Sequence, residues 1–115
     1  MTTHTVEQHF AKAEPAVLAT YLKLLESARA FGPVEEDPKK TSIHLVRRHA
    51  FAGVATRRHG LILTLKSAGD IRSPRIARRE QASAGRWHLQ IRLDAPTQVD
   101  RQLTTWLRAA YELSA

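Results

Sequence analysis

Apolar positions along this chain recur at helical spacing, then at strand spacing, then at helical spacing again. From Pro15 to the Gly32-Pro33 stop, Leu18, Tyr21, Leu22, Leu25 and Ala28 step by three and four residues. They predict one amphipathic helix with those side chains on its buried stripe. From Thr41 the period falls to two. Ile43 and Leu45 alternate with Ser42 and His44, and Leu61, Leu63 and Leu65 alternate with Ile62, Thr64 and Lys66. Trp87, Leu89, Ile91 and Leu93 alternate with His88, Gln90 and Arg92. Two further strands are predicted, one from about Ala50 to Arg57 and a polar one from Ile76 to Ala82 at the sheet edge. Helical spacing returns in Val99, Leu103, Trp106, Leu107, Ala110 and Leu113.

The punctuation agrees with these elements. Thr5-Val6-Glu7-Gln8 has the form of a capping box and predicts a short helix from about Val6 to Ala13. Pro15 suits the first turn of the next helix, where its missing N–H costs nothing. Glu35-Glu36-Asp37 reads as an acidic connector between Val34 and Pro38. His59-Gly60 and Ala84-Gly85 read as turns, and Ala68-Gly69-Asp70 with Ser73-Pro74 as a surface loop. Thr97-Gln98-Val99-Asp100 reads as the cap of the C-terminal helix. The phase of the strand around Phe51 stays open. Phe51 and Val54 fall on opposite faces unless Gly53 marks a bulge.

These elements predict one α+β domain over residues 1–115, with helices at about 5–32, strands at about 41–93 and a last helix at about 97–113. The connections between strands are too short for parallel crossovers, so the sheet should be an antiparallel meander of about five strands. Helices from both chain ends cover one face, and the other meets solvent.

Composition changes the picture through charge. Thirteen of the eighteen basic residues lie between Lys39 and Arg92 with only Asp70 and Glu80 among them, a block of +11, while the flanks carry −4. A centre of that kind points to an anionic ligand, an acidic protein surface or nucleic acid as partner more than to a reaction. The chain has no cysteine, which excludes disulfides, thiolate nucleophiles and cysteine-ligated metals and fits a cytoplasmic location. No signal peptide and no apolar run of membrane-spanning length is visible.

Two basic clusters stand out. Lys39, Lys40, Arg47, Arg48, Arg57 and Arg58 bracket the first two strands. In a hairpin, Arg47 and Arg48 approach the turn, while Lys39 and Lys40 come near Arg57 and Arg58 at the open end. Four cations there suit a phosphate or carboxylate, with arginine offering a two-pronged fork. They equally suit a solvated sheet rim guarded against aggregation. Arg72, Arg75, Arg78, Arg79 and Arg86 form a second cluster around Ser73-Pro74, suited to phosphate-backbone contact or to a plain surface loop. Phe51 is the one aromatic expected on the open face, too little for base stacking. His44, His59 and His88 come from three strands, but no HxH or HExxH spacing accompanies them, and no metal ligand or cofactor is implied. Paired carboxylates, a nucleophile elbow and a phosphate-cradling glycine loop are all missing, so no catalytic residue is assigned.

The run Gly32-Pro33-x-x-x-Asp37-Pro38-Lys39-Lys40-Thr41-Ser42-Ile43-His44-Leu45, followed by Phe51-Ala52-Gly53-Val54, resembles the bacterial domain-of-unknown-function family 5655. Thr5-Val6-Glu7-Gln8-His9-Phe10 and Val99-Asp100-x-x-Leu103-x-x-Trp106-Leu107-x-x-Ala110-Tyr111-Glu112 fit the same family, so the resemblance spans nearly the whole chain. It implies a small α+β domain with no established activity, found alone or appended to larger proteins, some nuclease-like or labelled predicted transport proteins. The layout is also similar to frataxin-like iron chaperones, but the acidic ridge that would hold iron is absent here. A shared layout does not transfer function.

The resulting expectation is non-catalytic binding of an anionic small molecule or acidic protein partner through a basic open sheet face. Sequence-nonspecific DNA or RNA association by the same residues is the alternative, and a small enzyme or metal-handling domain the second. The chain is expected as a monomer, or as a homodimer paired through the Ile76–Ala82 edge.

Overall fold

The structure, a computed structural model, describes residues 4–115. The chain runs α1 (Val6–His9), α2 (Pro15–Arg29), β1 (Glu35–Pro38), β2 (Ile43–Val46), β3 (Ala50–Thr56), β4 (Leu61–Ser67), β5 (Ile76–Ser83), β6 (Arg86–Leu93), a 3-10 turn (Pro96–Gln98) and α3 (Arg101–Leu113). Six antiparallel strands form one sheet in the order β1-β2-β3-β4-β6-β5. Helices pack on one face of it, giving the expected two-layer α+β architecture with six strands in place of five.

The sixth strand is the acidic stretch. Glu35–Pro38 pairs with Ile43–Val46 at the sheet edge, with Asp37 opposite His44. Its residues are poor strand formers, so no sequence signal marked it. An edge position tolerates Pro38, and the side-chain ties of Glu36 and Asp37 hold the rest. Glu36 accepts a hydrogen bond of 2.5 Å from the Tyr21 hydroxyl and lies 3.7 Å from Arg29, while Asp37 lies 2.9 Å from Lys39.

The sheet is not a simple meander. β4 pairs with β6, and β5 lies outside it as an edge strand. Burial decides this order. β6 offers Leu89, Ile91 and Leu93 to the core, all within 1% of full burial, whereas β5 buries only Ile76. The apolar strand therefore takes the interior place and the polar one the rim, and the loop 68–75 carries the chain past.

At the β2–β3 pair, Leu45 faces Ala52 and Val46 faces Ala50, so the bulge is at Phe51 and not at Gly53. The extra residue turns Phe51 into the core alongside Val54, both fully buried. Its ring meets Tyr111 edge-on at 5.3 Å, and the aromatic expected on the open face is not there.

All three helices also differ from expectation in part. In α2 the buried set is Val17, Thr20, Tyr21, Leu24, Leu25 and Ala28, and Leu18 and Leu22 are 40% and 52% exposed. The helix carries two overlapping apolar stripes one residue apart, and the one bearing Val17 and Leu24 is buried in the core. α3 starts at Arg101, not near Thr97. Asp100 is its N-cap, accepting from the Leu103 N–H at 3.0 Å, and the Gln98 side chain instead reaches back to the N–H groups of Asp94 and Ala95 across the 3-10 turn. α1 is capped as read: Thr5 Oγ1 accepts from Gln8 N–H at 3.2 Å, and Gln8 Oε1 accepts from Thr5 N–H at 3.0 Å. It stops at His9, short of Ala13.

Tyr111 fastens the C-terminal helix. Its hydroxyl donates to the Pro33 carbonyl at 3.2 Å, and Gly32, at φ +152°, gives it room, since a Cβ there would clash with the phenolic oxygen. Glycine is required there both by backbone and by space. No helix among the described residues is long and apolar enough to cross a membrane.

Candidate anion-binding cleft

The end of α1 and the α1–α2 linker are tied to one end of the sheet by three hydrogen bonds to backbone carbonyls. Thr56 Oγ1 donates to the His9 carbonyl, His9 Nε2 lies 2.8 Å from the Lys39 carbonyl, and Glu14 N–H donates to the Arg58 carbonyl at 2.9 Å. Between linker and sheet lies a cleft of about 780 Å³. Its rim is basic: Lys12 from the linker, Lys40 from the β1–β2 turn, and Arg57 and Arg58 from the β3–β4 turn, beside Gln8, His9, Thr41 and Thr56. Among the described residues no carboxylate lines it. The neighbouring acids are engaged elsewhere, Glu14 with His59 Nδ1 at 2.7 Å and Asp37 with Lys39 at 2.9 Å. Among the described residues, none of Lys12, Lys40, Arg57 and Arg58 has a carboxylate within 4.0 Å.

The structure thus brings Lys40, Arg57 and Arg58 to one cleft and separates the rest of the first cluster. Lys39 turns to Asp37. Arg47, at the far end of β2, stacks 4.2 Å over the Tyr111 ring and donates to the Tyr111 carbonyl at 3.2 Å. Arg48 is exposed beside the C-terminus, its N–H 3.4 Å from the Ser114 carbonyl. Lys12 was missed. It lies in sequence far from the basic block, and only the packing of the linker brings it in.

The second cluster is mostly consumed by the fold. Arg72 and Arg79 each lie 2.9 Å from Asp70, which sits between them at 18% side-chain exposure. Arg75 clamps the loop to the start of α3 through Asp100 at 2.8 Å and the Gln98 carbonyl at 2.7 Å. Arg78 lies 3.7 Å from Glu80, and Arg86 donates to the Gly85 carbonyl at 2.9 Å. The Asp100 carboxyl is held below the usual carboxylate range by the Leu103 N–H and by Arg75.

The open sheet face is also less basic than expected. Arg47, Arg57 and Arg78 lie on three different surfaces. That face carries Lys66, Arg78 and Arg92 with His44 and His88, but also Asp37 and Glu80. His44 and His88 are three strand spacings apart, roughly 14 Å across the sheet, and two residues out of line along it, and His59 is in the β3–β4 turn. Among the described residues no group of three His, Asp or Glu side chains converges on a metal site.

Searches among curated proteins and among solved structures give no match. The profile described as "Domain of unknown function (DUF5655)" matches residues 6–114, from the first turn of α1 through the end of α3. The α1 turn, the Asp37–Leu45 hairpin and the Tyr111-bearing last helix all lie within that match, and the chain belongs to the DUF5655 family.

Proposed function

We propose that this protein is a non-catalytic binding module whose basic cleft takes an anionic group, phosphate or carboxylate, on a small molecule or an acidic protein surface. One observation carries the reading. Arg72, Arg75, Arg78 and Arg79 of the second cluster are paired with Asp70, Asp100 and Glu80, whereas Lys12, Lys40, Arg57 and Arg58 have no carboxylate partner among the described residues. Uncompensated like charges around one concavity destabilise the free protein and favour an incoming anion. Two arginines supply planar forks and two lysines supply mobile point charges, a combination suited to oxyanions.

The test is thermal stabilisation by orthophosphate, pyrophosphate and citrate. A bound anion at one hundred times its Kd should add about 2.7 kcal/mol of stability. The paired Arg57→Ala and Arg58→Ala change should abolish the effect, whereas Arg72→Ala should not. Equal stabilisation of wild type and the Arg57/Arg58 double variant would refute the assignment. Retention of a short DNA duplex that weakens steeply with salt, and that depends on the same two arginines, would move the ligand to a nucleic-acid backbone.

A further inference from the structure

A second concavity lies on the open face of the sheet. It measures about 330 Å³, within the range of small-molecule sites, and is walled by Ser42, His44, Thr64, Lys66 and His88 around a floor of β3 alanines and Gly53. The register explains the hollow. Gly53 lies between His44 on β2 and Thr64 on β4, and Ala55 lies opposite Ile62, so a strand with almost no outward side chain runs between two strands that have them.

Gly53 is not demanded by the fold. Its φ is not in the left-handed region, and an added Cβ would meet only His44 Cδ2, at an ordinary 3.8 Å. The bulge that reorients Phe51 lies elsewhere. Glycine inside an interior strand costs stability, and where backbone and packing do not require it, it commonly marks close approach by a ligand. At one end of the hollow, Lys66 and His88 are direct cross-strand neighbours. Glu80, opposite His88 on β5, lies 3.7 Å from Arg78, and Lys66 has no carboxylate within 4.0 Å among the described residues. A flat, mostly apolar floor with a single cationic end fits a flat monoanion.

We propose that this trough binds a small aromatic carboxylate, its ring over Gly53 and Ala55 and its carboxylate at Lys66 and His88. The site is separate from the basic cleft, which lies between the α1–α2 linker and the sheet end.

Amide NMR titration tests it, with benzoate and indole-3-acetate as probes and acetate and benzyl alcohol as controls. Saturable shifts at Gly53, Ala55, Thr64 and Lys66 are expected with the aromatic acids alone. Gly53→Val should fill the trough and abolish them with the melting temperature unchanged or raised. Lys66→Met should weaken binding roughly tenfold or more. If Gly53→Val does not fold, Gly53→Ala supplies the same comparison with a weaker block. The Arg57/Arg58 double variant should bind these probes like wild type, so this proposal and the cleft assignment fail separately. No saturable shift up to about 10 mM, the millimolar limit of weak specific binding, overturns the proposal. So do unaltered titrations in Gly53→Val, or concentration-dependent shifts of these amides without any probe, which would assign the face to a second copy of the chain.

Discussion

Removing the Arg75 guanidinium should weaken the fold without touching the cleft. Nη1 donates to both carboxylate oxygens of Asp100, at 2.8 and 3.0 Å, and to Gln102 Oε1 at 3.2 Å, while Nη2 donates to the Gln98 carbonyl at 2.7 Å. The side chain is 25% exposed and Asp100 is 49% exposed, so the pair stands between a buried and a surface ion pair. Well-buried charge-assisted hydrogen bonds contribute about 1.5–3 kcal/mol and exposed pairs about 0.2–1, which gives roughly 1–2 kcal/mol for Arg75→Ala after discounting for solvent. In a domain of this size that is a melting-temperature drop of about 4–8 °C. A double-mutant cycle isolates the pair. Asp100→Asn keeps the oxygen that caps α3 and removes the charge, so its coupling to Arg75→Ala, from urea unfolding, should be about 1 kcal/mol. A coupling within about 0.3 kcal/mol of zero, the noise of additive sites, would refute the clamp. Loss of phosphate stabilisation in Arg75→Ala would contradict the separation of clamp from cleft.

The same pair predicts a pH dependence. Asp100 has a folded pKa below its unfolded value, so its contribution is complete above the unfolded carboxylate range and is lost as pH falls through the folded value. The stability gap between wild type and Asp100→Asn should therefore be full at neutral pH and shrink below about pH 4, as measured by urea midpoints. Tyr21→Phe removes the donor to Glu36 from a fully buried ring and should cost about 1–3 kcal/mol in urea unfolding. Burial and the Glu36 carboxylate push the Tyr21 phenol well above its ordinary range, so this loss should not vary between pH 6 and pH 9.

The fold was legible wherever burial imposed a period. β4 alternates without a break, with Leu61, Leu63 and Leu65 in the core, and its strand was unambiguous. What escaped is long-range competition. Glu35–Pro38 is a strand only because Tyr21 and Arg29, from a helix, hold Glu36 against the edge of β2. Phe51 enters the core because a bulge is available one residue before Ala52, a choice made by the pairing with β2 and by the Tyr111 ring. The order of β5 and β6 follows from their relative apolarity, which the sequence displays, but only the sheet turns that difference into an arrangement.

Charge shows the same division more sharply. Along the chain, acids and bases are segregated, and the arginines of the middle block look equivalent. Folding brings Asp100 from the acidic C-terminal flank onto Arg75 and brings Glu14 from the N-terminal flank onto His59, while Asp37 turns to Lys39. Arg47 stacks on Tyr111, so a cation that sequence position recommended for binding is used in packing. Lys12 comes the other way, from the N-terminal flank to the rim of the cleft. A net count of charge therefore locates the basic half of this molecule but not its available cations. Availability depends on which carboxylates the topology delivers, and the end of the sheet at Lys40, Arg57 and Arg58 receives none among the described residues.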